Sequence, residues 1–579
     1  MVALAMDPAR QADGLAGLFG TKLAAGVGAV GVHGDALGPG QKRRSVTLRA
    51  PACQAAARRP CPASGRMAAI SPGSEPDSMR WIFVLLLFLA AGSALAEESR
   101  PPFFTADDCP AGTTLPKGVT ADCGTVTVLE DRARPDGPRI RLRVATLWRT
   151  GQDLRPAPLL YINGGPGLWT GLDAEGLMNW ARAVKEQDWL GNRRLVLFDP
   201  RGVGASQILP ASCGRLDQFL MLEILDHTSR SDERWRASFR EKAETCWSRF
   251  RQAGYDPGRI TTADMAADVA DLRRAFGYAA WNLWGVSFGS RVALSVMRDH
   301  PQGIRAVILD GVWPPDANFY DYARNTGEAF DALMEACRTD TICNADYPDL
   351  ERRFLSLAER LDAQPLTVTI FDDATARIDG WMLLDIADQM LQSGDKTRSL
   401  PRLVAELEAG ETRQIVDGKL IEVTDFVRNE DRYDQAVYAS IACADTFPAD
   451  PDWVVKARSA DLRFGDLVWD PTADGYCAAW PVPRSPAADA APVTSDIPAL
   501  LISGAFDPRT PPSWAEAAVR RLAHGYSFVF PGQGHGVLDR GQPCAQWIAG
   551  RFLDDPSRRP DHDCFARLEP PVFEPLPPG

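Results

Sequence analysis

A serine set between two glycines, Gly285-Val286-Ser287-Phe288-Gly289 in "NLWGVSFGSRVAL", is the first residue whose surroundings could do chemistry. An apolar run, "AAWNLWG", leads into it and a helical pattern, "SRVALSVMRDH", leads away. A strand that turns sharply into a helix holds the serine in strained backbone, which small neighbours permit. It also lifts the hydroxyl to a helix N-terminus, where the dipole favours developing negative charge. A serine nucleophile needs a base, and the base needs an orienting acid. "LLISGAFDPRTPP" places Asp507 just past one strand, and "VFPGQGHGV" places His535 in a glycine-rich loop past the next. Of the five histidines after residue 96 (His227, His300, His524, His535 and His562), only His535 has glycines on both sides that would let it reach a sheet edge. The chemistry implied is acyl transfer: Ser287 attacks a carbonyl, His535 takes its proton, and Asp507 fixes the imidazole tautomer.

Acyl transfer also needs donors for the oxyanion. "YINGGPG", Tyr161 to Gly167, runs an apolar strand into three glycines and a proline. Read alone it is a tight surface turn. Ahead of a serine nucleophile the same glycines bring bare backbone to within about 3 Å of a negative oxygen. The expected donors are the N–H groups of Gly165 and Phe288.

Positioning these residues requires a sheet. "TVTVLE" and "RIRLRVATLW" read as an antiparallel opening. "APLLYIN", "RRLVLFD", "AAWNLWGV", "IRAVILD" and "IPALLISG" are short apolar runs of the kind buried in a parallel sheet. Helical patterns lie between them, such as "TTADMAADVADLRRAFG", with Thr262 as N-cap and Gly277 as stop. The alternation predicts a mostly parallel α/β sheet with helices on both faces. It breaks after Asp310, the end of the sixth strand in this count. Residues 313–440 are helical in pattern ("NTGEAFDALMEAC", "YPDLERRFLSLAERL", "GWMLLDIADQML"), so a large, mainly helical cap is expected there. The rest divides into a first core part, 97–312, and a C-terminal core part with a Pro-rich tail, 441–579.

The N-terminus reads separately. "MRWIFVLLLFLAAGSALAEES" has a basic start, an apolar run of 11 and a small-residue cleavage site, the pattern of a signal peptide over Met79–Ala96. The run is well short of the ~20 residues of a bilayer span, so no stable membrane insertion is expected after cleavage. Residues 1–78, with nine Lys/Arg against five acids, are expected to be a mis-assigned or disordered extension, Met79 being the start. The formal net charge of −13 is therefore still more acidic over the remainder, which argues against nucleic acid as a partner. Export, to the periplasm or beyond, predicts disulfides, and ten of the twelve cysteines follow residue 96. They fall as neighbours, Cys109/Cys123, Cys213/Cys246, Cys337/Cys343, Cys443/Cys477 and Cys544/Cys564, and sequential pairing is the expectation. No CxxC or HExxH spacing occurs, so neither a metal nor a cofactor is expected.

"NGGPG" (163–167), "FDPRGVGAS" (198–206), "GVSFGS" (285–290) and "SGAFDPRTPP" with "GQGHG" together resemble the α/β-hydrolase serine peptidases of the prolyl aminopeptidase and secreted tripeptidyl aminopeptidase family. "ACADTF" and "YCAAW" are similar to the C-terminal region of the tripeptidyl branch. The family's first loop is commonly HGGPG, and Asn163 stands where it has histidine; an asparagine can still donate hydrogen bonds to hold the loop. The resemblance implies an α/β-hydrolase fold and substrates that are peptides with a free N-terminus. It also implies acids near the cap that hold the α-amine, for which Glu328, Asp331 and Asp445 are the candidates. Asp199 and Arg201 are expected to hold their own loop. Two other readings stand beside it: an ester or lipid hydrolase on the same trio, and a non-catalytic binding protein on this fold.

Overall fold

Strand formation begins where the sequence first alternates. Phe103–Asp107 (β1), Val119–Leu129 (β2) and Arg139–Arg149 (β3) form an antiparallel meander, β1 being an edge strand that the sequence pattern did not mark. The computed structural model describes residues 102–576 except 207, 209–232, 319, 372–373, 430–432, 447–449, 451 and 469–475. The expected signal peptide and extension, Cys213 and His227 lie outside the described residues. Among the described residues no helix is long and apolar enough to cross a membrane.

The meander leads into Leu159–Ile162 (β4), helix Ala174–Glu186 (α1), Leu195–Phe198 (β5), helices Glu233–Gln252 (α2) and Thr262–Ala275 (α3), and Trp281–Val286 (β6). Helix Phe288–Asp299 (α4) and Ile304–Asp310 (β7) follow. Helix α3 starts one residue earlier in its capping than the sequence suggests: the Thr261 hydroxyl, not that of Thr262, accepts the Asp264 N–H. Gly277, at φ +68°, ends it as expected.

Nine strands make one sheet in the order β1-β2-β3-β5-β4-β6-β7-β10-β11, where β10 is Ala499–Gly504 and β11 is Gly525–Phe530. From β5 onward every pairing is parallel. With β1 as an extra edge strand, this is the strand order of an α/β-hydrolase fold. Strands β4, β5, β6 and β10 are buried at every residue, which is why they read as unbroken apolar runs. One face packs α3 and α4 through residues such as Met265, Leu272, Val292 and Val296. The other packs α1 through Leu177, Ala181 and Val184.

Between β7 and β10 the chain builds a second hydrophobic cluster of its own. It is built from helices Tyr322–Thr339 (α5), Leu350–Ala363 (α6), Gly380–Leu391 (α7) and Leu400–Glu408 (α8), among others. Phe330, Phe354 and Phe464 meet at its centre with ring centroids 5.0 and 5.2 Å apart. A hairpin of Leu366–Phe371 (β8) and Ala374–Ile378 (β9) belongs to this cluster and was not legible as strand. Helix Gln435–Ala444 (α9) runs across residue 440, and the cluster draws in residues as far as Val468, together with Phe506 and Phe573. Residues Ser99–Gly579 form one compact unit.

Four sequential cysteine pairs are disulfides: Cys109–Cys123, Cys337–Cys343, Cys443–Cys477 and Cys544–Cys564. Cys246 is also disulfide-bonded.

Candidate active site

Strand order locates the site. Strand β4 lies between β5 and β6, so the chain leaving β4 crosses one way and the chain leaving β6 crosses the other. Loops that diverge from adjacent parallel strands open a crevice at their carboxyl ends. Ile162 is paired with Gly285, so two residues further on Gly164 faces Ser287 across this crevice.

Ser287 sits at φ 55°, ψ −121°, left-handed backbone that few non-glycine residues adopt. Such a conformation costs of order 1–3 kcal/mol and persists where neighbours enforce it. The neighbours are glycines for steric reasons. A β-carbon at 285 would lie 2.4 Å from the Gly289 carbonyl oxygen, and one at 289 would lie 2.0 Å from that of Ile162. The elbow is thus pressed against the end of β4. Phe288 opens α4, where the first amides have no partner within the helix.

Across the crevice, Gly164 comes so close that a β-carbon there would be 3.1 Å from Ser287 Cβ. The Gly164 N–H is committed to Asn163 Oδ1 at 2.7 Å, while the Gly165 N–H makes no hydrogen bond among the described residues. Asn163 holds the loop from both ends: its Nδ2 donates to the Trp169 carbonyl at 2.6 Å, and its Oδ1 also accepts from the Tyr161 hydroxyl at 3.1 Å.

Asp507 and His535 come from the loops after β10 and β11. Imidazole Nδ1 lies 2.8 Å from Asp507 Oδ2, so Nδ1 carries the proton and Nε2 is left as the basic nitrogen. Burial alone would raise the fully buried Asp507 carboxyl. The His535 ring, with the hydroxyl and amide of Thr510, instead holds it below the ordinary carboxylate range. The Thr510 hydroxyl donates to Asp507 Oδ2 at 2.7 Å and lies 3.0 Å from His535 Nδ1; sequence reading did not single it out. The ring sits over Gly311, where a β-carbon would be 3.1 Å from Cε1. Gly311 directly follows β7, the strand beside β6, and the Ser287 N–H donates to the Asp310 carbonyl at 2.9 Å. The His535 ring and Ser287 therefore lie over neighbouring strands.

A second unsignalled residue is Asp310. Its carbonyl holds Ser287, and its Oδ2 accepts the Asp539 N–H from the turn after His535 at 2.8 Å. Burial pushes its carboxyl up to about 7. Asp199 and Arg201 do hold their loop: the Asp199 carboxylate accepts from Thr170 N and Ala205 N, and Arg201 pairs with Asp268 at 2.7 Å.

The three acids expected at the α-amine each have a partner within the chain. Glu328 accepts from the hydroxyl (2.6 Å) and amide (3.1 Å) of Ser513. Asp331 pairs with Arg463 at 2.6 Å on an exposed surface. Asp445 accepts the Thr262 N–H at 2.5 Å, near the start of α3, and the Ser485 hydroxyl. The structure does not gather the three at Ser287.

The helical segment meets the site elsewhere. The His535 N–H donates to the Gln392 carbonyl at 3.0 Å, just past α7. From within α7, Asp388 reaches Arg509, two residues after Asp507.

The chain is similar to several known proteins. Residues 464–564 match the family described as TAP-like protein. The tripeptidyl aminopeptidase of Streptomyces lividans is 26% identical over 471 residues, covering 76% of this chain and 82% of that protein. Serine protease Hip1 of Mycobacterium tuberculosis is 26% identical over 456 residues, covering 74% and 84%. A Mycobacterium tuberculosis protein named carboxylesterase B is 26% identical over 466 residues, covering 75% and 84%. Among solved structures, the proline iminopeptidase-related protein of Thermus thermophilus is 18% identical, with a TM-score of 0.34, over 75% of this chain and 98% of that one.

Proposed function

We propose that this chain is an exported serine hydrolase that cleaves peptides near a free N-terminus through an acyl-enzyme. The observation that carries the reading is the 2.8 Å contact of His535 Nδ1 with Asp507, next to a strained Ser287 faced by bare glycine backbone. His535 Nε2 takes the Ser287 proton as the hydroxyl oxygen attacks the scissile carbonyl. The carbonyl π electrons move onto oxygen, and the N–H groups of Gly165 and Phe288 donate hydrogen bonds to that oxyanion. His535 then protonates the departing amine, the C–N bond breaks, and the acyl group remains on Ser287. Water, deprotonated by the same imidazole, repeats the attack and frees the serine. No metal or cofactor enters these steps.

The segment between β7 and β10 is read as a cap that fixes which N-terminal residues fit. The tripeptidyl aminopeptidase relative supports peptide substrates. An ammonium partly removed from water needs a carboxylate partner. At Glu328, Asp331 or Asp445 it would have to displace a partner already in place. Export is supported by the signal pattern and by the disulfides. N-terminal sequencing of the exported protein should begin at Glu97.

The test is a fluorophosphonate probe, which should label wild-type protein at Ser287 and leave S287A unlabelled. A panel of aminoacyl and tripeptidyl amides against short-chain esters then separates the second reading, an ester hydrolase, which the carboxylesterase B relative favours. Acetylating the N-terminus of a cleaved peptide should cut kcat/KM by at least tenfold. An unchanged rate would remove the amine from the mechanism.

A further inference from the structure

The loop carrying Asp507 joins a charge pair, one partner buried and the other partly exposed, that the proposed reaction does not use. Arg509 follows Asp507 by two residues, and its backbone N–H donates to Asp507 Oδ1 at 2.8 Å. Its guanidinium turns away from the sheet toward the helical segment, where Nη2 meets Asp388 Oδ2 at 2.5 Å. The Asp388 side chain is 2% exposed, and its other oxygen accepts the Thr326 hydroxyl of α5 at 2.8 Å. Tyr322, also of α5, lies with its ring 5.3 Å from the guanidinium. With its amide oxygen facing the guanidinium, Gln392 accepts from Nε at 3.2 Å and Nη2 at 2.9 Å.

Two features exceed what packing needs. A carboxylate as buried as that of Asp388, paired with a guanidinium that is 24% exposed, gains little over an apolar pair of similar volume. And the pair bears on both loops at once, because Gln392, which meets Arg509, also receives the His535 N–H through its carbonyl. Left alone beside Asp507, the guanidinium would compete with the imidazolium for the carboxylate charge and make His535 harder to protonate. The Asp388 carboxylate cancels it.

Resting on the Ser287–His535–Asp507 reading above, we propose that Asp388 is a positioning residue that neutralises Arg509, so that the helical segment sets the pH at which His535 becomes a base. The charged and titratable groups facing this pair are Asp507 from the sheet edge, Asp385 from α7 and Tyr322 from α5, and His535 lies behind Asp507 at 2.8 Å. His535 in turn faces Asp310.

The experiment is the rate of fluorophosphonate labelling of Ser287 against pH in wild type, D388N and D388N/R509M, each in the full chain. Labelling needs neutral His535, so each profile has an acid limb. In D388N, which keeps the side-chain shape, the limb should move to lower pH by about one unit, the size expected of a unit charge roughly 10 Å from a titrating group at an effective dielectric near 20. Adding R509M should return it to the wild-type position. A role in packing alone predicts the opposite order, with no limb shift in D388N and slower labelling throughout in the double variant. Coincident limbs in wild type and D388N overturn the inference while leaving the function standing. Wild type that does not label overturns both.

Discussion

Glycine at two positions of the site answers to two different atoms, and substitution should separate them. At 289 an added methyl would collide with the Ile162 carbonyl, which is backbone of a buried strand and has no room to yield. At 164 it would meet Ser287 Cβ at 3.1 Å, a contact relieved by a small shift of the loop. G289A should therefore lower the thermal midpoint, with overpacking of about 1–3 kcal/mol or more. G164A should leave the midpoint nearly unchanged and lower kcat, because the moved loop carries Gly165, the donor proposed for the oxyanion. Equal loss of stability in both would count against this picture of the crevice. Asp310 supplies a pH test. Its carboxyl is raised from 3.8 to about 7 by burial, so the folded chain keeps a proton that the unfolded chain releases between those values. The stability so gained is complete below pH ~4 and is lost as pH rises through ~7. D310N is neutral throughout and escapes that loss. The midpoint of D310N minus that of wild type should rise from pH 4 to pH 8, and parallel curves would show that Asp310 is not held protonated.

Elements were legible where one segment carried its own signal. The strands under Ser287, Asp507 and the glycine loop are buried on both faces, so each is a continuous apolar run that no long-range knowledge is needed to find. Strand β1 escaped because its residues are half-buried or exposed at the sheet edge, and the β8–β9 hairpin because it is short and lies among helices. Thr510, Asp310 and the Arg509–Asp388 pair were invisible for another reason: what makes them matter is contact across 25 to 229 residues, for which no local pattern exists. Cysteine spacing was informative in the same local sense, and its energetics can be ranked. In the chain-entropy account a cross-link stabilises more as its loop lengthens. Cys443–Cys477 closes 34 residues and Cys337–Cys343 only 6, so removing them should cost about 4 and about 2 kcal/mol respectively. Chemical denaturation of the two double-serine variants checks the order.

Across the whole molecule, sheet and helical segment share their cores. Phe506, the residue before Asp507, belongs to the hydrophobic cluster of the helical segment, and Gly534, the residue before His535, presses on Leu391 and Gln392 backbone. Replacing residues 322–429 with a short linker should therefore abolish labelling of Ser287 even if the sheet still forms, as read by circular dichroism. Retained labelling would mean that the helical part only screens access. The contact of Gly534 with Gln392 also bears on how such enzymes change diet. A helical segment grafted from a distant relative would bring new walls for the substrate, yet it would arrive without the moorings to which the Asp507 and His535 loops are tied here. Divergence in what is cut should then proceed by altering residues inside the existing segment, with the short stretch around Asp388 and Gln392 inherited unchanged.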